Sequence, residues 1–199
     1  MLDLDFLEIG TCDFRTLIQK ADDTTIGISV EPLKLYLDRL PNPKNVKKIN
    51  CAISFDNTQS EVDFYYIDPR VIKRNKLPKW VKGCNSINDY HLKIKENNLQ
   101  HLCEVTRVTQ YPISTFLEMH NIRKIHFLKL DTEGGDSYIL LKLLEYLKDK
   151  SIDYYPKVIK FESNRLTPSE LVDRVIKEYT NVGYKLDYRN TLDTQISRT

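Results

Sequence analysis

The feature that most constrains the fold is an apolar run that ends in acids and glycines, FLKLDTEGGD at residues 127–136. Its first part is short and almost continuously apolar, as expected of a parallel strand covered on both faces. Gly134 and Gly135 permit a sharp exit from that strand, and residues 137–148 then place isoleucine and leucine at helical spacing. The segment therefore predicts a buried strand, an acidic turn and an amphipathic helix.

The acidic turn is expected at the place where open α/β sheets bind ligands. Ligands bind outside the carboxyl ends of the strands, and Asp131 and Glu133 follow the predicted strand at once. Acids also occur near helix N-termini because the helix dipole favours negative charge there, with Asp136 as the helix cap. For Glu133 both interpretations stay open, whereas the position of Asp131 favours a functional role.

Composition indicates one ordinary globular domain. The 199 residues, 41% of them apolar, can bury a sizeable core. Thirty basic and 28 acidic side chains leave a net charge of +2, which gives no long-range field to attract nucleic acid. No apolar stretch approaches the roughly 20 residues that span a bilayer, and the acidic start is unlike a signal peptide. We therefore expect no nucleic-acid partner and no membrane span.

The four cysteines show neither a metal-binding nor a disulfide pattern. Cys12, Cys51, Cys84 and Cys103 form no CxxC pair and no Cys/His group with zinc spacing. We expect reduced thiols in a cytoplasmic environment, with Cys12 and Cys51 either buried as small hydrophobes or lining a pocket. The first strand begins almost at the first residue, which predicts that residues 1–199 are one domain excised from a longer protein.

The first two predicted strands carry the signals of a nucleoside site. Glu31 ends the second strand about 20 residues beyond the turn at Gly10, which is how nucleotide-binding sheets hold a ribose diol. Cys12 stands where a dinucleotide fingerprint has its second glycine, and Phe14 follows without a further glycine in the turn. A pyrophosphate ligand is therefore disfavoured, and S-adenosylmethionine, a nucleoside cofactor without phosphate, fits better.

Residues 68–98 show no regular pattern and are predicted to be a substrate-binding insert. Basic residues surround Trp80, the only tryptophan, and the segment continues to Asn85, Ser86, Tyr90 and His91. Long irregular stretches inside compact domains are usually functional or disordered loops. These aromatic and polar groups suit stacking on a sugar ring and binding its hydroxyls, and a solvated loop is the alternative.

A second strand that ends on an acid completes the predicted active site. Glu162 ends this strand, and Asn164 and Arg165 follow as substrate-binding candidates. Asp131, Glu133 and Glu162 should share one edge of the sheet, where like charges raise at least one pKa toward neutrality and suit a general base. Asp131 is the first choice for that base and Glu162 the second. The same oxygens could instead hold Mg²⁺ or Mn²⁺, and His91 is the base if neither acid acts.

The remaining chain alternates between predicted strands and helices. Capping-box patterns indicate two helix starts, Thr115 with Glu118 and Thr167 with Glu170. Together with the acidic turn, this alternation predicts an α/β fold. Strands are predicted at residues 1–9, 25–30, 48–54, 61–67, 104–110, 125–130, 156–162, 184–188 and 194–198, and helices at residues 15–20, 32–40, 113–118, 137–148 and from residue 167.

Four segments in this order resemble the FkbM-type S-adenosylmethionine-dependent O-methyltransferases: FLEIG at 6–10, VEP at 30–32, NCAIS at 50–54 and LKLDTEG at 128–134. The resemblance implies a Rossmann-like, seven-stranded class I methyltransferase sheet. This sheet is mostly parallel with an antiparallel terminal strand, and helices cover both faces. The cofactor-binding residues that it implies are Glu8, Gly10, Thr11, Cys12 and Asp13 in the first loop, Glu31 and Pro32 after the second strand, and Cys51, Ala52 and Ile53 near the adenine.

Many members of this family methylate sugar or polyketide hydroxyls, so the sequence predicts an O-methyltransferase with a carbohydrate acceptor. Residue usage rich in Lys, Ile, Asn and Tyr also resembles the methyltransferase domains of chlorovirus multidomain glycan-building proteins. That likeness implies a terminal rhamnose acceptor, further domains as partners, and the host cytoplasm as location. The alternatives are a nicotinamide-dependent dehydrogenase, which the missing glycines disfavour, and a non-catalytic glycan-binding module, which the convergence of acids disfavours.

Overall fold

The computed structural model describes residues 2–14 and 16–198. Within these residues there are two β-sheets, one of seven strands and one of four, and six α-helices. The strands are β1 (Leu2–Ile9), β2 (Gly27–Val30), β3 (Val46–Ile49), β4 (Ala52–Ile53), β5 (Ser60–Tyr66), β6 (Ser86–Ile87), β7 (Glu104–Tyr111), β8 (Ile122–Leu130), β9 (Val158–Glu162), β10 (Lys185–Arg189) and β11 (Asp193–Ser197). The helices are α1 (Lys34–Leu37), α2 (Pro69–Arg74), α3 (Leu92–Glu96), α4 (Ile113–Met119), α5 (Asp136–Leu147) and α6 (Ser169–Asn181), with 3-10 turns at Ile18–Lys20, Lys79–Gly83, Gln100–Leu102 and Ile152–Tyr154.

The seven-stranded main sheet has the order β10–β11–β9–β8–β1–β2–β3. Strand β1 pairs in parallel with β2 and β8, and parallel pairing continues to β3 on one side and to β9 on the other. Strand β11 runs antiparallel to both β9 and β10. The predicted α/β class and the mostly parallel seven-stranded sheet with an antiparallel terminal strand are therefore confirmed.

The register of the main sheet aligns the ends of its central strands. Ile9 lies in register with the last residues of β2 and β8. The residues that follow these three strands, Gly10, Glu31 and Asp131, consequently lie side by side. Strand β9 ends beside them at Glu162. The edge predicted to carry the acids is thus formed by four neighbouring strands.

Apolar side chains cover both faces of the main sheet. On one face, Leu7 belongs to the largest cluster, in which Leu140 of α5 and Val175 of α6 are fully buried. On the other face, Phe6 packs with Ile18 of a 3-10 turn and with Leu37 of α1. Burial of one such aliphatic side chain stabilises a fold by roughly 1.5–3 kcal/mol. The apolar run in β1 is therefore explained by burial on two sides.

The strand predicted at residues 48–54 is wrong, because the chain leaves the main sheet in the middle of it. Strand β3 ends at Ile49, and β4 belongs to the second sheet, whose order is β4–β7–β5–β6. Between them, the side-chain amide of Asn50 donates hydrogen bonds to the carbonyls of Glu31 (2.8 Å) and Pro32 (2.7 Å). These bonds hold the residue after β3 against the end of β2, and β4 then lies outside the main sheet. The other two strands predicted in this region, at 61–67 and 104–110, are confirmed as the antiparallel pair β5 and β7.

The prediction of an irregular insert is also wrong, since residues 68–98 form α2, a 3-10 turn, β6 and α3. A separate apolar cluster of Val81, Cys84 and Ile94 with Ile67 holds these elements together. Helices of five or six residues complete too few turns to show an apolar period, which is why the sequence gives no helical signal here.

Three details of the predicted helices differ from the structure. The helix predicted at 15–20 is only the 3-10 turn Ile18–Lys20, and Arg15 lies outside the described residues. Both capping boxes are wrong, because α4 and α6 follow the extended prolines Pro112 and Pro168 and have no side-chain cap. Proline in this conformation sets the helix start, so the threonines fall inside or before the helix instead of at the cap.

The cysteines lie in the structure as expected. All four are free thiols, and Cys12, Cys51 and Cys84 are buried. Burial raises the pKa of Cys51 and of Cys84 to about 12, so neither is a thiolate at neutral pH. Across residues 2–14 and 16–198, the structure has no helix that is both long enough and apolar enough to cross a membrane.

Candidate active site

A cleft of about 660 Å³ opens at the carboxyl ends of β1, β2 and β8. The main sheet, the second sheet and the insert all contribute to its walls. Besides the predicted residues, Phe14, Phe55, Phe64, Gly83, Ile87 and Thr132 line it. The predicted site residues that line it are Gly10, Thr11, Cys12, Glu31, Pro32, Cys51, Ala52, Ile53, Asn85, Ser86, Asp131 and Glu133.

Gly10 forms the floor of the cleft, where two chain segments meet closely. Its φ is +80°, and a Cβ at this position would lie 2.0 Å from the carbonyl oxygen of Asp131. Its N–H donates to the carbonyl of Val30 (3.0 Å), and the N–H of Asp131 donates to the carbonyl of Ile9 (2.9 Å). Any side chain at Gly10 would therefore separate the ends of β1 and β8.

Glu31 is buried at the end of β2 and holds the first loop. It is only 3% exposed. Its Oε1 accepts from the N–H of Leu33 (2.9 Å), and its Oε2 accepts from the N–H of Cys12 (2.6 Å) and the hydroxyl of Thr11 (3.4 Å). Burial raises the pKa of this carboxyl to about 7, against the effect of these hydrogen bonds.

Two of the predicted cofactor residues, Glu8 and Asp13, do not line the cleft. Glu8 is fully buried, and its carboxylate accepts from the ammonium of Lys129 (2.9 Å) and the N–H of Leu17 (2.8 Å). Asp13 pairs with Lys82 of the insert and with Arg39 (3.2 Å). Both acids have protein partners because a buried charge requires compensation. The structure therefore places them in support of the first loop.

One wall of the cleft is apolar. Cys12, Ala52 and Phe64 belong to a single buried cluster, with Ile87 packed against it. On the other side, the ring of Phe55 lies against Gly135, where a Cβ would come within 2.0 Å of the ring. These side chains form a surface suited to a flat, largely apolar ring.

Asp131, Glu133 and Glu162 form one acidic cluster, as predicted, with one oxygen of each within 4.8 Å of the others. Oδ2 of Asp131 lies 3.5 Å from the ammonium of Lys129, and Oε1 of Glu162 accepts from the side-chain amide of Asn164. The second oxygen of Glu162, Oε2, is buried without a hydrogen-bond partner among the described residues. Three carboxylates this close share protons or bind a cation.

Two acids of the cluster, Asp131 and Glu162, have raised pKa values, and the sequence predicts at least one. Burial raises the pKa of Asp131 to about 6, with Lys129 opposing the shift and Glu133 adding to it. Burial, followed by the negative charges of Glu133, Asp136 and Asp131, raises the pKa of Glu162 to about 9. Of these two acids, Asp131 therefore loses its proton below neutral pH, while Glu162 keeps its proton.

Asp136 fixes the acidic turn instead of capping α5. The N-cap position of α5 is Gly135, and it has no side-chain cap. The fully buried carboxylate of Asp136 accepts from the N–H (2.8 Å) and hydroxyl of Thr132, and from the N–H of Glu162 (2.7 Å). It thereby joins the turn to the end of β9. The helical context of Asp136 concealed this role in the sequence.

His91 brings the insert to the acidic cluster. Its ring is buried, with 3% exposure. The Nδ1 atom accepts from the N–H of Lys93 (3.1 Å) at the start of α3, and Nε2 lies 3.1 Å from Oε2 of Glu133. The residue is therefore part of the site, although neither ring nitrogen is free.

The predicted substrate-binding residues are divided between the cleft and the surface. In the cleft, Asn85 donates to the carbonyl of Lys82 (3.2 Å), and its buried Oδ1 has no hydrogen-bond partner among the described residues. Outside the cleft, Trp80 is 38% exposed and Tyr90 stacks edge-on against Tyr65. Arg165 also lies outside the cleft lining, where it pairs with Glu96 (2.6 Å).

These features define an α/β protein whose ligand cleft lies at the carboxyl ends of parallel strands, beside a cluster of acids. The sequence model of the methyltransferase FkbM domain matches residues 8–186. The chain belongs to this family and is a methyltransferase domain, as the resemblance implied. No curated protein sequence matches the chain significantly.

Proposed function

We propose that this domain transfers a methyl group from S-adenosylmethionine to a hydroxyl group of a carbohydrate. The observation that carries the proposal is the position of the acidic cluster at one end of a cleft whose remainder suits a nucleoside. The family supplies the reaction class, methyl transfer. The acids supply a group that can remove a hydroxyl proton.

The residues that line the cleft suit the cofactor in chemistry. The first loop around Gly10 and Thr11 would hold the methionine part, Glu31 the ribose, and the apolar wall at Ala52 and Ile53 the adenine. Each carboxylate oxygen has two acceptor sites, so Oε1 of Glu31 can accept from one ribose hydroxyl in addition to the N–H of Leu33. S-adenosylmethionine supplies an electrophilic methyl group there.

Asp131 is proposed as the general base. It lines the cleft, and its raised pKa leaves it as a carboxylate at neutral pH and still basic enough to accept a proton. Lys129, 3.5 Å away, stabilises that carboxylate. Glu162 keeps its proton at neutral pH and so ranks behind Asp131 in this role.

The acceptor is proposed to be a neutral sugar, and a terminal rhamnose is the first one to test. Asn85 and Ser86 both line the cleft, and their amide and hydroxyl groups can bind a sugar hydroxyl there. The acidic cluster would repel a phosphate or a uronate. A nicotinamide dehydrogenase is not supported by the family, and a glycan-binding module would have no use for the cofactor cleft.

The test combines calorimetry with a transfer assay. We expect S-adenosylhomocysteine to bind and NAD not to bind, and we expect labelled methyl groups from S-adenosylmethionine to appear on a rhamnoside but not on its deoxy analogues. Asp131→Asn should lower transfer at least ~100-fold while cofactor affinity is kept. Absence of S-adenosylhomocysteine binding contradicts the cofactor. Activity lost in EDTA and restored by Mg²⁺ or Mn²⁺ would assign the acids to a cation instead of to proton removal.

A further inference from the structure

The histidine of the insert uses both of its ring nitrogens within the protein. The N–H of Lys93 donates to Nδ1 of His91, so Nδ1 carries no proton. In the neutral ring the proton then lies on Nε2, which donates to Oε2 of Glu133 at 3.1 Å. A base must offer a free lone pair to the acceptor hydroxyl, and His91 offers none.

The Nε2–H of His91 stabilises the carboxylate of Glu133, whose position in the acidic turn is unusual. Its φ is +56°, a left-handed conformation that is uncommon for a residue with a side chain. Its carboxylate also lies within reach of the oxygens of Asp131 and Glu162, and the negative charge of Asp131 would push it away. A hydrogen bond from a buried ring opposes that displacement.

A second residue of the insert, Gly83, also lies near the Glu133 carboxylate. A Cβ placed on Gly83 would lie 3.3 Å from Oε1 of Glu133. Gly83 and His91, which both belong to the insert, therefore lie beside different oxygens of the same carboxylate. The insert thus leaves little room on the Oε1 side of this carboxylate and donates a hydrogen bond on the Oε2 side.

We infer that His91 is a positioning residue, which holds the carboxylate of Glu133 in the acidic cluster through its Nε2–H and thereby couples the insert to methyl transfer. This inference rests on the proposed function. It replaces the expectation that His91 itself removes a proton. The insert then contributes to the reaction through a single buried hydrogen bond, in addition to lining the cleft.

The variant His91→Asn separates this role from a structural one. Asparagine is among the best N-cap residues, so it can still accept from the N–H of Lys93, but it is too short to reach Glu133. We expect unchanged affinity for S-adenosylhomocysteine and a fall in kcat of roughly 10- to 100-fold. His91→Gln, with a longer amide donor, should recover part of that loss. His101→Asn, at an exposed histidine, is the matched control.

Two further measurements show whether His91 acts through Glu133. If it does, the double variant His91→Asn/Glu133→Gln is no slower than Glu133→Gln alone. The ¹⁵N chemical shifts of the His91 ring should show a proton on Nε2 and none on Nδ1, whether or not an acceptor is present. Additive losses in the double variant, or a proton on Nδ1 alone, would overturn the inference.

The proposed function and this inference fail in different ways. An active parent enzyme together with parent-like kcat in His91→Asn overturns the positioning role alone. A parent protein that transfers no methyl group to any acceptor overturns the proposed function, and the positioning role with it.

Discussion

At the scale of single residues, the ends of β1, β2 and β8 are fixed by contacts that leave little freedom. Gly10 is required because the carbonyl of Asp131 lies where a side chain would be. Glu31 accepts from two backbone N–H groups and so fixes the first loop before any ligand arrives. Preorganisation of this kind lowers the cost of ordering the site upon binding.

Glu31→Ala should weaken binding of S-adenosylhomocysteine by about 1.5–3 kcal/mol, because hydrogen bonds to a charged group are the stronger kind. The loss has two sources, the ribose contacts proposed above and the N–H groups of Cys12 and Leu33 that lose their acceptor. Calorimetry measures it. Glu145→Ala, at an exposed glutamate of α5, should bind like the parent. Parent-like affinity in Glu31→Ala would remove Glu31 from the cofactor site.

The pH dependence of transfer should follow Asp131. A base acts in its deprotonated form, and the pKa of Asp131 is raised to about 6. We therefore expect kcat/KM to rise as pH increases through about 6 and to level off above it. In Asp131→Asn this acid limb should disappear together with most of the activity. A profile that rises only near pH 9 would point to Glu162, whose pKa is raised to about 9.

At the scale of elements, the sequence predicts the strands and helices that have a regular apolar pattern. It does not predict the features that depend on individual hydrogen bonds or on very short helices. Strand β8 and helix α5 are long and have a strong apolar pattern, so both could be predicted closely from the sequence. The acids that follow β8 could be predicted for the same reason. The break after β3 depends on two hydrogen bonds of Asn50, which no apolar pattern reveals. The short helices of the insert, and with them the contact between His91 and Glu133, were hidden for the same reason.

The insert should behave as a structural unit with its own core. Ile94 is buried in the cluster with Val81 and Cys84, and Ile→Ala changes at such sites typically cost about 2–5 kcal/mol. Ile94→Ala should therefore speed amide hydrogen exchange within residues 68–98 while protection of β1 and β8 stays close to the parent. Leu92→Ala, at a neighbouring residue that is 43% exposed, is the control. Equal loss of protection in the main sheet would show that the two parts unfold together.

At the scale of the whole molecule, buried and exposed acids act on stability in opposite directions. Hydrogen bonds from Thr24 and Thr25 lower the pKa of exposed Asp22 to about 2, and those from Thr58 and Ser54 lower that of Asp56. Their stabilising contribution is present above the unfolded pKa of about 3.9 and is lost as pH falls through the lower folded value. These exposed acids therefore limit stability only at strongly acidic pH.

The buried acids limit stability on the alkaline side. Burial raises the pKa of Glu31 and Asp136 to about 7 and that of Glu162 to about 9. Each protonated acid makes its full contribution to the free energy of unfolding below its unfolded pKa of about 4. That contribution is lost as pH rises through the folded pKa. Without ligand, the free energy of unfolding should thus be highest near pH 5 and fall toward pH 9. Urea denaturation at several pH values measures it, and Glu162→Gln should flatten the decline between about pH 7 and 9 while Glu145→Gln leaves it unchanged. A free energy that stays constant or rises from pH 5 to 9 would mean that these three acids are ionised in the folded protein over that whole range, and would contradict their raised pKa values.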